Sequence, residues 1–307
     1  MCVGGGVSQR QRLFYPMSSR VALLSPGPCS AQSASRRPAR RRQGLKCQAS
    51  SELASSALQQ LANPLVRDCC ATVAATAGAL MLVKLAEILT YKGIIDQKLS
   101  RKLVHILAGP GFALCWPLFS SEPNARFFAV VVPSLNLLRV LLLGFGIISD
   151  EKTVRSMSRE GDRSELLRGP LYYVLVLMAA TVVYWRDSPV GVVAMSLMCG
   201  GDGLADVVGR RLGQGNPLPW NPAKSWAGSA AMLVGGSGLA ISFVALFCGL
   251  GYFDCDMGAM TAYIAAIALI ATAIESLPVN NKLDDNISVP GAVALMGFLL
   301  RSAMVAI

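Results

Sequence analysis

Residues 227–250 read AGSAAMLVGGSGLAISFVALFCGL, 24 positions without a charged side chain. A helix needs roughly 20 apolar residues to cross about 30 Å of hydrocarbon, and only helices or closed barrels can do so with their backbone groups satisfied. The stretch therefore reads as a membrane span and sets the fold class, an all-α integral membrane protein. Moving outward, comparable runs occur at 68–90, 103–119, 127–148, 169–186, 189–208, 258–277 and 287–305. They predict a multi-pass bundle of about seven to eight transmembrane helices within residues 67–307. A hydrophobic share of 53% and a mean hydropathy of +0.49 argue against a soluble domain. No repeat of fixed period and no second soluble domain is visible.

The loops between these runs differ in charge. Loops 91–102, 149–168, 209–226 and 278–286 fall on one side and hold Lys92, Lys98, Arg101, Lys102, Lys152, Arg155, Arg159, Arg163, Arg168, Arg210, Arg211, Lys224 and Lys282. The opposite loops, 120–126, 186–188 and 251–257, hold only Arg126 and Arg186. Positive charge gathers on the side that is not translocated, so this asymmetry supports the span assignment.

The net charge of +10 is concentrated at the front of the chain. Residues 1–50 carry Arg10, Arg12, Arg20, Arg36, Arg37, Arg40, Arg41, Arg42 and Lys46 and no acid. Removing these nine from the 28 basic residues leaves 19 against 18 acids, so the remainder is nearly neutral. A Ser- and Arg-rich, acid-free leader without a continuous apolar core is expected of an organelle transit peptide at 1–50, followed by a short linker at 51–66. The basic side of the bundle would face the stroma if that organelle is a plastid. The run Arg36–Arg42 has no aromatic or folded accompaniment, and no nucleic-acid partner is expected. The nine cysteines show no metal spacing and no disulfide framework.

The motif just before residue 227 carries the chemistry. Gly200 to Ser229 reads GGDGLADVVGRRLGQGNPLPWNPAKSWAGS, polar and glycine-rich beside membrane spans. Ionisable residues in that setting are costly and default to function. Asp202 and Asp206 lie four apart, one helical turn, and can together hold a hard divalent cation, Mg²⁺ above all. Arg210, Arg211 and Lys224 supply positive charge for a phosphate tail. Gly201 and Gly203 let a backbone approach a phosphate closely. The segment is neither a Walker A loop nor a dinucleotide fingerprint, since the glycine before Lys224-Ser225 is missing. Ser225 stands where a new helix begins, which suits phosphate binding at a helix N-terminus or simply a cap.

Two more groups open on the same side. ESLPVNNKLDDNISVP spans residues 275–290 and offers Glu275, Asp284, Asp285 and Asn286, too many acceptors for one helix cap. LSRKLVHILAGP supplies Arg101, Lys102 and His105, the chain's one histidine, one turn from Arg101. Arg101 and Lys102 read either as interfacial anchors or as phosphate ligands. His105 reads either as a buried, hydrogen-bonded residue or as a group that orients phosphate or assists deprotonation of an alcohol. Asn136 and Arg139 share one face of an apolar run, and the arginine should point into the bundle. Lys84 and Glu87 read as a self-neutralising pair.

Taken in order, SRKLVH (100–105), the Asn136/Arg139 region, GDGLADVVGRR (201–211), NPAKSWAGS (221–229) and ESLPVNNKLDDNISVP (275–290) resemble the polyprenol kinase family, most closely its plant and algal phytol kinases. The resemblance covers most of residues 95–290 and is specific as a set. It implies a multi-pass kinase that uses CTP, with Mg²⁺, to phosphorylate a prenyl alcohol held in the bilayer. In plastids this is phytol, and the phytyl phosphate feeds tocopherol synthesis. A farnesol or geranylgeraniol kinase is the near alternative. A CDP-lipid cytidylyltransferase stands behind it, because the chain lacks the Lys-Arg and Lys-Asp signature of those enzymes. A transporter with Asn136, Arg139 and Glu275 along an anion path is the reading from a different class. One-sided clustering of the polar residues and the lack of inverted-repeat symmetry oppose it.

Overall fold

A computed structural model describes residues 63–158, 161–278 and 284–299. The leader at 1–50, nearly all of the linker, Lys282 and the end of the last predicted span lie outside the described residues. The described chain is a helical bundle, and its helix starts follow from local chemistry. Helix α1 (Pro64–Tyr91) begins with Pro64 in the first turn and the Asn63 side chain accepting from the Leu65 N–H. Helix α2 (Gln97–Cys115) is capped by Asp96, which accepts from the Leu99 N–H at 2.6 Å. Helix α3 (Ala125–Gly144) returns, and a short α4 (Glu151–Met157), capped by Asp150, lies in what reads from sequence as a loop.

After a 3₁₀ turn at Arg163–Leu167, α5 (Gly169–Ala179) continues into a π-helical turn at Ala180–Tyr184. The next span is broken into α6 (Pro189–Met195), a π-helical segment Ser196–Asp202 and α7 (Gly203–Leu212). A two-stranded antiparallel hairpin follows, β1 (Pro217–Leu218) against β2 (Asn221–Ser225), an element absent from the all-helical expectation. Helices α8 (Trp226–Gly249), α9 (Met257–Ser276) and α10 (Asp285–Leu299) complete the described bundle.

All eight predicted positions carry helix. Among the described residues, six helical runs are long and apolar enough to cross a membrane: 64–91, 125–144, 163–184, 189–212, 226–249 and 257–276. Helix α2 is long enough but carries Lys98, Arg101 and Lys102, and α10 is described over only 15 residues.

The core explains the glycines of the central motif. The run Ser196–Asp202 is buried throughout. Gly201 packs on Met232 and Gly236 of α8, with a Cβ there reaching Met232 Cγ at 3.3 Å. A Cβ on Gly203 would collide with Ile106, and one on Gly228 would stand 2.9 Å from the Ala205 carbonyl. Small residues thus let α7 and α8 approach closely, the packing mode favoured between membrane helices.

Candidate active site

Alternating chain direction brings the starts of α2, α5, α8 and α10 and the ends of α1, α3, α7 and α9 to one end of the bundle. The charged residues of three sequence-distant motifs meet there. Lys102 Nζ lies 3.0 Å from Asp202 Oδ2, and both side chains are buried. His105 Nε2 sits 3.1 Å from the Met198 carbonyl and 3.5 Å from Asp202 Oδ2. A carbonyl only accepts, so Nε2 carries a hydrogen, and in the neutral form of the ring Nδ1 then keeps the lone pair. Tyr173 flanks His105 with ring centroids 4.6 Å apart and donates to its backbone carbonyl at 3.1 Å.

Lys224, on β2, forms an ion pair with Glu275 at the end of α9 and lies 3.5 Å from Asp285 Oδ2 at the start of α10. Burial pulls its ammonium down, but Glu275 and Asp285 more than offset this and hold its pKa above the usual lysine value. Burial pushes the Asp285 carboxyl up to about 6, with the Asp202 charge adding to the shift. One carboxylate oxygen each from Asp202, Glu275 and Asp285 lies within 4.8 Å of the others. Three hard oxygen donors at that spacing suit Mg²⁺, and the lysine ammonium groups already lodge between them as cations.

The expected Asp202/Asp206 pair is not what converges. Asp202 is the last residue of the π segment and only 6% exposed, and it turns to Lys102. Asp206 on α7 instead accepts from Arg210 at 2.9 and 3.1 Å, an i, i+4 pair near solvent, with Arg211 exposed beside it. The two residues are one α-helical turn apart, but Asp202 turns inward to Lys102 and Asp206 outward to Arg210. Ser225 caps α8, accepting from the Gly228 N–H at 3.1 Å. Gly201 and Gly203 meet neighbouring helices, so packing alone accounts for them.

The remaining residues line a cavity of about 340 Å³ that opens from this cluster into the bundle. Its polar end includes Arg101, Lys102, His105, Arg139, Asn136, Asp202, Asp284, Asp285 and Asn286. Asn286 donates to the Gly169 carbonyl at 3.2 Å and to Asp284 Oδ1 at 2.8 Å, tying the start of α10 to that of α5. Arg139 donates to Thr153 at 2.7 Å, with Glu87 and Asp150 carboxylates at 3.8 and 3.6 Å. Lys84 does pair with Glu87 at 2.7 Å, but Glu87 also accepts from Thr153, so the pair belongs to a wider brace joining α1, α3 and α4.

Sequence reasoning did not foresee Tyr173 at the site, and it permitted a shared site for the two acidic clusters without establishing that Asp202 meets Glu275 and Asp285. The only available signal was that both acidic clusters open on the same side.

No family model and no solved structure matches the chain. Among curated proteins it is 47% identical over 292 residues to a "Probable phytol kinase, chloroplastic" of Triticum aestivum, covering 94% of this chain and 97% of that protein. It is 45% identical over 237 residues to "Phytol kinase 1, chloroplastic" of Arabidopsis thaliana, covering 77% and 78%. A "Farnesol kinase, chloroplastic" of the same plant is 48% identical over 209 residues, covering 68% and 67%. Such identity over two thirds or more of each chain places this protein in the polyprenol kinase family, close to the chloroplast phytol kinases.

Proposed function

We propose that this alcohol kinase transfers the γ-phosphoryl group of CTP to phytol, in a chloroplast membrane, with Mg²⁺ held by Asp202, Glu275 and Asp285. One observation carries the reading. A buried carboxylate–lysine cluster and an apolar cavity are continuous, so a charged donor and a greasy acceptor can meet at one point.

Phosphoryl transfer is mostly positioning and charge neutralisation. Mg²⁺ held by these three carboxylates would supply positive charge against the nucleotide's phosphates. Lys102 fixes the Asp202 carboxylate, and Lys224 is held by Glu275 and Asp285 where it can meet a phosphate. Arg210 and Arg211, exposed at the rim, are suited to the outer part of the triphosphate. The prenol oxygen attacks the γ-phosphorus, the β,γ-bridging P–O bond breaks, and CDP departs. The hydroxyl proton leaves toward the cavity, where Nδ1 of His105 is an available acceptor. Arg101, Asn136, Arg139, Asp284 and Asn286 surround the place where hydroxyl and phosphate meet.

The leader at 1–50 acts as a transit peptide, the basic loops face the stroma, and the product feeds tocopherol synthesis. Membranes containing the full chain should be assayed with CTP, ATP, UTP and GTP against phytol, geranylgeraniol and farnesol. CTP with phytol should give the highest kcat/KM. ATP dependence, or no product from any prenol, would overturn the assignment, whereas a farnesol optimum would change only the name of the acceptor.

A further inference from the structure

The apolar part of the cavity is not needed for phosphate chemistry, and its shape is specific. On α2 the lining residues run from Arg101 through Val104, His105 and Ala108 to Phe112. That is eleven residue steps, about 16 Å of helix at 1.5 Å per residue. On α5 the lining runs from Gly169 through Tyr173 and Val174 to Leu177, and α3 contributes Val132 at the same inner end. Phe112 closes this end. Its ring meets Trp116 edge-on, with centroids 6.1 Å apart at 89°. Trp116 is fully buried and lies against Trp185 at 5.0 Å and Phe247 at 6.0 Å. Behind them Arg186 donates to the carbonyls of Trp116 and Phe119. The closure therefore rests on a packed aromatic block that a longer chain would have to displace. The one lateral weakness lies between α1 and α3, where Leu80 and Leu135 line the cavity yet are 48% and 49% exposed.

We propose that Phe112, with Val132 and Leu177, forms a floor that measures the acceptor's hydrocarbon tail and so determines which prenol length the kinase prefers. The idea rests on the prenol-kinase reading above and deepens it. A tail that fits gains apolar contact along the whole wall. One that is too long must buckle or withdraw its hydroxyl from the Asp202 cluster, and one too short leaves the floor uncovered.

The test is a set of kcat/KM ratios, measured with the full chain in membranes, for farnesol, geranylgeraniol and a prenol one isoprene unit longer. Phe112→Ala should shift the longer-to-shorter ratio upward by roughly tenfold or more, the scale of even one added methylene in an apolar pocket. Val132→Phe should shift it downward by a similar factor. Leu177→Ala provides a second enlarged floor should Phe112→Ala fail to accumulate. A prenol bearing a photoreactive group at its tail end reports binding independently of turnover and should label residues near Phe112 and Val132. Unchanged ratios in both directions, or labelling confined to Leu80 and Leu135, would overturn the floor and show that the tail leaves sideways into lipid. Absence of any prenol phosphorylation by the wild-type protein would instead sink the functional reading, so the two failures are distinguishable.

Discussion

The two ends of the bundle each bury a charge network, and the networks are built on opposite principles. At the far end, Asp68 is 2% exposed and Arg186 4% exposed. Asp68 accepts from the Ser120 N–H at 2.6 Å and from the Ser120 hydroxyl at 2.8 Å. Arg186 donates to the carbonyls of Trp116, Phe119 and Ser120 and stacks over Tyr252 at 4.5 Å. These donors and acceptors are matched at close range, so the network has nothing to offer a ligand. At the near end, one oxygen each of Asp202, Glu275 and Asp285 lies within 4.8 Å of the others, with Lys102 paired to Asp202 and Lys224 shared by Glu275 and Asp285. Such charge-on-charge pairs beside a cavity can exchange a partner for a metal or a phosphate. A buried network closed largely on backbone groups holds the fold together, whereas this mismatch of three carboxylates sharing two lysines marks the chemistry.

The largest effect should come from Asp202→Asn, which keeps shape and removes charge. Turnover should fall roughly 10³-fold or more, on the scale of losing one charge-neutralising group in phosphoryl transfer. Helix content by circular dichroism should be unchanged. Near-wild-type turnover would show that the mismatch is incidental. Arg186→Met is the converse experiment. It leaves three carbonyls without their donor, at about 1–3 kcal/mol for each buried orphan, and should lower stability by about 3 kcal/mol or more. Turnover per folded molecule should persist. A stable variant that had lost activity would make the far network functional and collapse the contrast.

A smaller effect is expected from pH. Burial and the neighbouring Asp202 charge raise the Asp285 carboxyl to about 6, above its value in an unfolded chain. Its ionised form therefore costs stability above pH 6, and this cost is relieved as pH falls from about 6 toward 4. Activity should move the other way, because protonation removes a metal ligand. With limiting Mg²⁺, kcat/KM should decline below about pH 6, and saturating Mg²⁺ should move the limb to lower pH. A limb indifferent to Mg²⁺ would exclude Asp285 as a ligand. The smallest effect belongs to the solvent-facing Asp206–Arg210 pair. Arg210→Gln should change stability by less than about 0.5 kcal/mol while raising the KM for CTP. An unchanged KM would reduce Arg210 to a solvated surface residue.

Much of this was legible in the sequence, for reasons that also explain what was not. Helix positions follow from the length of apolar runs, and all eight predicted positions carry helix. Asp202, Lys224, Glu275 and Asp285 stood out because charge in greasy surroundings needs a reason. Their partnership did not. Lys102 and Asp202 are 100 residues apart, and no spacing rule links them. The Asp202/Asp206 pairing read one helical turn correctly, but Lys102 and Arg210, which sequence spacing does not display, draw the two carboxylates apart. Gly201 and Gly203 were ambiguous in principle, since a missing Cβ admits either a phosphate or a neighbouring helix. Asp68 and Arg186 passed as ordinary members of a span and a loop because their partners are mainly backbone groups, which sequence patterns do not display.

The hairpin has a consequence for the lipid around the protein. Trp220 and Trp226 pack edge to face with ring centroids 5.5 Å apart, and both remain about half exposed. Indoles settle at the headgroup level of a bilayer. Trp220 also donates to Ser276 Oγ at 3.3 Å, and Asn221 to the Ser276 carbonyl at 3.1 Å, so the hairpin is fastened to the end of α9 beside Glu275. Lys224 lies between those two indoles in the chain, and its height is thereby geared to the membrane surface. With both indoles at the headgroup level, the bilayer would act as a gauge against which the proposed reaction centre is levelled. Reconstituted in lipids of graded acyl length, the protein should show one optimal thickness, and Trp220→Ala should flatten that optimum.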